Sequence, residues 1–122
     1  MNAKAKLSYI FFFCDVINFD MGYYLIYITC KNYKEAEKIG KTLLEERLVA
    51  CINIIKEIGS QYWWGGKIEK SKESLLLLKC PKNNLKKVVE RVKELHSYSL
   101  PDISAIKIGK GLKEFLDWVN KF

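Results

Sequence analysis

The chain has little of what most catalytic and metal-holding sites are built from. Its 122 residues include one histidine, two prolines and four cysteines. No two of Cys14, Cys30, Cys51 and Cys80 form a C-x-x-C pair, which excludes a zinc ribbon and a thioredoxin-type centre. Cys51 and Cys80 sit inside apolar runs, as small buried hydrophobes do. No apolar run is long enough to cross a bilayer; Leu7–Cys14 is far too short. Gly65-Gly66-Lys67 is not a phosphate loop, because the required spacing and the Ser or Thr after the lysine are missing. Gly109-Lys110-Gly111 lacks the third glycine of a dinucleotide fingerprint and follows the last strand rather than the first. With one histidine and no evident oxyanion device, a Cys–His nucleophile pair is not indicated, and no enzymatic activity is expected.

What the chain has is apolar and aromatic strand. Hydrophobic residues make up 49% and charged residues 29%, ordinary values for one soluble domain with a sizeable core. The net charge of +7 comes largely from lysines interleaved with glutamates, which reads as a solvated face rather than a nucleic-acid stripe. RNA-recognition strand motifs are absent. The cysteine usage suits a reducing, cytoplasmic setting, and no nucleic-acid or membrane partner is expected. Residues 1–20 stand apart as an N-terminal extension. Lys4 and Lys6 give them a faint signal-peptide look, Asp15 and Asp20 oppose it, and a start at Met21 is the other reading. Residues 21–122 form the domain.

Tyr23 to Thr29 is strand-like. Asn32 with Glu35 resembles a capping box, opening a helix to about Leu48 with its stripe at Ala36, Ile39, Leu43, Leu44 and Leu48. A second strand from Ala50 bends near Gly59-Ser60 and runs to Trp64. Gly65-Gly66 turns the chain into a third strand that ends at Pro81. Asn83 or Asn84 can cap a second helix carrying Leu85, Val88, Val89, Val92 and Leu95. Ile103 to Ile108 is a fourth strand, and Leu112, Phe115, Leu116 and Val119 mark a short terminal helix. The order predicts an α+β fold, a ferredoxin-like βαββαβ sandwich with a long bent β2–β3 hairpin and a short C-terminal helix.

Adjacent strand residues point to opposite faces, so Trp63 and Trp64 cannot share one core. The helices cover one face of such a sheet, yet the strands are apolar on both. Exposed, that second face would be an aggregation surface, so the reading is that it packs on further copies in a closed ring.

Three segments then point to a family: Arg47-Leu48-Val49-Ala50-Cys51-Ile52-Asn53, Tyr62-Trp63-Trp64-Gly65-Gly66-Lys67-Ile68-Glu69, and His96-Ser97-Tyr98-Ser99-Leu100-Pro101-Asp102. With Glu73, Leu76 and Lys79 between them, they resemble the CutA divalent-cation tolerance proteins over about residues 23–118. The resemblance implies a cytoplasmic homotrimer linked to divalent metals, notably copper, with no established reaction. Ser97 and Asp102 replace a proline and a glutamate of the family pattern, and Cys30-Lys31-Asn32 stands where relatives often carry a Pro-Asp pair.

His96 is a candidate ligand for Cu(II) or another divalent metal, with Asp102 six residues on; two ligands from one chain are too few for a tight site, and a trimer could add a third from a neighbouring copy, Cys30 if the loops meet. Its structural alternative is to terminate the second helix. Tyr62, Trp64, Lys67, Glu73, Lys79 and Tyr98 are candidates for a ligand cleft. As a second functional reading, they would hold an anionic metabolite between subunits, as in PII-type signalling trimers. Subunit packing for the aromatics and a lysine–glutamate pair across the hairpin are the structural alternatives.

Overall fold

A computed structural model describes residues 22–122. The readings made above for residues 1–20 lie outside the described residues. The elements run β1 (Tyr23–Cys30), α1 (Tyr33–Glu45), β2 (Cys51–Trp64), β3 (Lys67–Pro81), a 3-10 turn (Lys82–Asn84), α2 (Leu85–Leu95), β4 (Ile103–Ile108) and α3 (Lys113–Val119). The four strands form one sheet in the order β2-β3-β1-β4, with every neighbouring pair antiparallel. This is the ferredoxin-like α+β plan expected from the pattern.

Alternation decides the two faces. Ile26 and Ile28 of β1 pair with Leu78 and Leu76 of β3 and are fully buried with them. Against this row pack Ala36, Ile39 and Leu43 of α1 and Val88 and Val92 of α2. Burying each such side chain contributes ~1.5–3 kcal/mol. At Gly40 the first helix comes so close that an added Cβ would lie 2.6 Å from Ile52 Cδ1.

The opposite face carries Leu25, Tyr27, Leu75, Leu77 and Ile106; among the described residues only α3 lies over one end of it, where Lys79 Nζ stands 5.9 Å from the Phe115 ring.

Three local features differ from the sequence reading. The bend in β2 is a bulge: Ile55 pairs with Leu75 and Ile58 with Glu73, so β2 carries one extra residue between them. It falls at Lys56–Glu57, ahead of Gly59, and Ser74 Oγ donates to the freed Lys56 carbonyl at 2.5 Å. Helix α1 stops at Glu45, short of Leu48, because Arg47 takes a left-handed φ of 56°. The Arg47 N–H then bonds Leu44 O and the Leu48 N–H bonds Leu43 O, which closes the helix in a Schellman arrangement. Asn84 precedes α2 without capping it; its Nδ2 donates to Leu48 O at 3.1 Å and ties the helix start to the α1–β2 connection.

Candidate functional site

The bulge matters because the side-chain period of a strand is two. One extra residue moves everything after it to the other face. Before the bulge, Ile55 shares the open face with Leu75; after it, Ile58, Tyr62 and Trp64 share that face with Glu73, while Trp63 turns away with Ile68. The Gly65–Gly66 turn has φ of 61° and 81°, the geometry of a two-residue hairpin loop that only glycine adopts without strain.

Opposite this arm lies the loop that leaves α2. Its position follows from two buried side chains. His96 ends α2, with its N–H on Val92 O, and is 8% exposed. Its Nδ1 accepts from the Tyr98 N–H at 3.0 Å, so the proton sits on Nε2, which donates to Thr29 O at 2.8 Å. The imidazole thus joins the end of β1 to the loop. Glu35 does the same from α1: Oε1 accepts from the Lys31 N–H and Oε2 from the Ser97 N–H, both at 3.0 Å. Burial raises its pKa, the bonds from Ser97 and Lys31 together with His96 lower it, and the net effect is a carboxyl held below its ordinary range.

These groups converge. The Cys30 thiol, a Glu35 carboxylate oxygen and an His96 ring nitrogen all lie within 4.8 Å of one another. Burial, then Glu35 and Glu73, push the Cys30 thiol up to about 12, so it is protonated at neutral pH. A Cys, Glu and His set suits zinc or copper chemistry. Metal–ligand bonds of ~2.0–2.3 Å put tetrahedral donors about 3.5 Å apart, so the set needs a modest contraction. It also needs the imidazole to release one of its two hydrogen bonds and the thiol to lose its proton.

Of the metal candidates read from sequence, the structure brings His96 and Cys30 together, and it does so within one chain rather than across two copies. Asp102 is not in that group; its Oδ1 accepts from Ser104 Oγ at 2.6 Å. Glu35 takes the carboxylate place. Sequence reasoning saw it only as a capping residue, and the signal that could have found it was the carboxylate one turn into the helix that follows Cys30.

A cleft of about 730 Å³ lies between the arm and the α2–β4 loop. Tyr62, Trp64, Glu73, Tyr98 and Asp102 line it. Tyr98 Oη donates to Glu73 Oε2 at 2.8 Å, and burial followed by that bond raises the phenol pKa. Lys67 and Lys79 are not among the lining residues. Lys67 pairs with Glu69 at 3.4 Å on its own strand, and Lys79 reaches over Phe115 at the other end of the sheet. The lysine–glutamate pair expected across the hairpin is therefore replaced by a Tyr98–Glu73 bond and a pair within β3. Among the described residues, neither of the two lysines proposed for an anionic ligand lines this cleft.

Known proteins agree with this chain over nearly all the described residues. The profile of the CutA1 divalent ion tolerance protein family matches residues 24–122. The divalent-cation tolerance protein CutA of Archaeoglobus fulgidus is 48% identical over 96 residues, covering 79% of this chain and 93% of its own length. Its counterpart in Thermus thermophilus is 41% identical over 97 residues, 80% of this chain and 94% of its own. Among solved structures, CutA1 from Oryza sativa superposes with a TM-score of 0.80 at 32% identity, covering 83% of this chain and 93% of that one. The Archaeoglobus fulgidus structure, described as a periplasmic divalent cation tolerance protein, gives 0.78 at 46% identity, with 81% and 96% covered. Family profile, sequence identity and topology converge, and the chain belongs to the CutA1 divalent ion tolerance family.

Proposed function

We propose that the protein is a non-enzymatic divalent-cation tolerance protein that binds Cu(II) or a similar divalent ion through Cys30, Glu35 and His96. The observation that carries this reading is the convergence of those three donors within 4.8 Å at the join of β1, α1 and the loop after α2. The names of the relatives support it: they are divalent-cation tolerance proteins. An ion held there would supply charge at a point where three chain segments meet. The residues' own part is to hold those segments together and to offer one thiol, one carboxylate and one imidazole.

The active form in this reading is a cytoplasmic homotrimer. The support is the apolar face that the helices leave bare, together with Ile55, Trp63 and Ile106, all of which stand exposed. Among the described residues no helix is long and apolar enough to cross a membrane. Residues 21–122 are the working domain and residues 1–20 an extension ahead of it. The signalling-trimer reading with an anionic ligand is set aside, because its two lysines lie away from the cleft.

Isothermal titration of Cu(II) into the full chain tests the metal reading, alongside Cys30→Ser and His96→Ala. Each variant is expected to lose about tenfold in affinity, the low end of what a lost contact at a metal centre costs. Circular dichroism confirms that each stays folded. Cys30→Ser is the nearly isosteric control, since it leaves both hydrogen bonds of His96 in place. Equal affinity in the parent and both variants overturns the site.

A further inference from the structure

Tyr98 is held at both ends. Its backbone N–H donates to His96 Nδ1 at 3.0 Å, and its Oη donates to Glu73 Oε2 at 2.8 Å. The two rings lie against each other, with centroids 4.8 Å apart. His96 Nε2 meanwhile meets Thr29 O at 2.8 Å. The loop after α2 is thus latched to β1 and β3 through one tyrosine and one imidazole. The donors of the metal cluster differ in what they have free. A carboxylate offers about four acceptor positions, and on Glu35 the Lys31 and Ser97 N–H groups take two of them. Glu35 can therefore ligate and keep both bonds. A neutral imidazole has one lone pair and one N–H in the ring plane, and on His96 both are engaged.

Two arrangements are open to that ring. If Nδ1 ligates, its lone pair leaves the Tyr98 N–H, and the Nε2–H bond to Thr29 O is kept. If Nε2 ligates, it gives up its proton and Nδ1 takes one, so that a ring N–H faces the Tyr98 N–H. Both arrangements lose the Tyr98 bond, and the second loses the Thr29 bond as well. The first also leaves Thr29 O in the place that a backbone carbonyl commonly takes behind a ligating histidine. In either, the Cys30 thiol proton passes to solvent.

We propose, on the basis of the metal reading, that loading the Cys30, Glu35 and His96 donors unlatches Tyr98 and frees the α2–β4 loop. The released N–H is part-buried, and a donor left there without a partner is costly, so the loop shifts until the N–H meets water or a new acceptor. Tyr98, Ser99, Leu100 and Asp102 of this loop border the cleft on the open face of the sheet. Occupancy of a buried centre is thereby converted into a change at the surface where, in the homotrimer, further copies pack. The latch itself lies within one chain, and copies packed on that face leave the number of ring lone pairs unchanged. By linkage, whatever loosens the latch tightens metal binding.

The test uses zinc chloride, because Zn(II) suits the same donors and has no redox chemistry with the thiol. Amide hydrogen exchange of the full chain, read by mass spectrometry, should show peptides over residues 96–102 exchanging about tenfold faster or more with zinc bound. Peptides from α1 and the middle of β3 should slow or stay unchanged. Tyr98→Phe removes the bond to Glu73 and keeps the backbone N–H, so isothermal titration should show its zinc affinity raised about threefold or more. Ser99→Ala, an exposed change in the same loop, should stay within about twofold of the parent. Circular dichroism checks that both variants are folded. Unchanged or slower exchange over residues 96–102 with zinc bound overturns the latch and leaves the metal site standing. So does a Tyr98→Phe affinity at or below the parent's, or an equal rise in Ser99→Ala. Zinc that fails to bind the parent, or that binds His96→Ala equally well, removes the ligand set, and the latch falls with it.

Discussion

The root and the arm of the β2–β3 hairpin are one continuous ladder, yet they live under different rules. In the root, Ile52 and Ile54 pair with Leu78 and Leu76, have β1 beyond them and two helices above. In the arm, among the described residues, Ile58 to Trp64 pairs with Lys67 to Glu73 alone, because β1 and β4 have 8 and 6 residues against 14 and 15 in β2 and β3. The arm extends roughly 20 Å at ~3.3 Å per residue. Leu76 and Leu78 at the root are 0% exposed, whereas Trp63 at the tip is 72% exposed. A lone two-stranded ribbon is marginal in water, so the arm borrows its order from the root. Burial sets the root's identity, and association or ligand contact sets the arm's. The bulge at Lys56–Glu57 is the boundary between them.

That contrast can be broken by paired substitutions. Leu76→Ala leaves a cavity under both helices and should cost ~2–5 kcal/mol in urea unfolding. Trp63→Ser combined with Ile68→Ser, which face each other across the arm, should shift dilute protein by no more than ~0.5 kcal/mol. Their effect should instead show in sedimentation velocity, as a smaller assembly. A double variant that unfolds as easily as Leu76→Ala at every protein concentration would merge root and arm into one stability unit.

The root was easier to read from sequence than the arm. The strand order, both helix stripes and the glycine turn follow from period and punctuation, which are local. The bulge was not legible: neither Lys56 nor Glu57 is a glycine or proline, and the punctuation in the sequence points to Gly59-Ser60 instead. The two-sided problem of Trp63 and Trp64 was visible, but which of them meets the cleft depends on that single extra residue. At the site, His96 and Cys30 were legible as chemistry-bearing residues, whereas Glu35 was hidden behind its role as a cap. Its partners are Lys31 beside the helix start and Ser97, 62 residues away, and no spacing rule reports a contact that distant.

Glu35→Gln sharpens the comparison on the root side, since Glu35 pins the loop that the arm faces. A glutamine offers one carbonyl oxygen where the carboxylate offers two, so one backbone N–H is left facing an amide N–H. The expected cost at pH 7 is about 1–3 kcal/mol. The pH dependence has a definite sign. The carboxyl's folded pKa is lowered from 4.5, so its contribution is fully present above that value and fades as pH falls through the lower folded one. Urea midpoints of parent and variant should therefore differ at pH 7 and draw together as the pH falls below 4.5. A gap that stays constant down to pH 3 would show that the charge of Glu35 plays no part.

The smallest effect concerns how each region reverses the chain. The arm turns on Gly65 and Gly66, where positive φ carries no strain; the root turns on Arg47, where it does. A left-handed non-glycine residue costs ~1–2 kcal/mol. Arg47 recovers part of it by lying 4.9 Å above the Phe122 ring, a contact worth ~0.5–1 kcal/mol at an exposed site. Glycine at this position would relieve the strain, lose the contact and add freedom to the unfolded chain. Arg47→Gly alone should thus change stability by less than ~0.5 kcal/mol. On a Phe122→Leu background the contact is already gone, and the same substitution should stabilise by a few tenths to about 1 kcal/mol. Equal effects on the two backgrounds, read from thermal midpoints, would show that the ring does not hold Arg47 in place and that the Schellman bonds of Leu48 and Arg47 alone keep this corner closed.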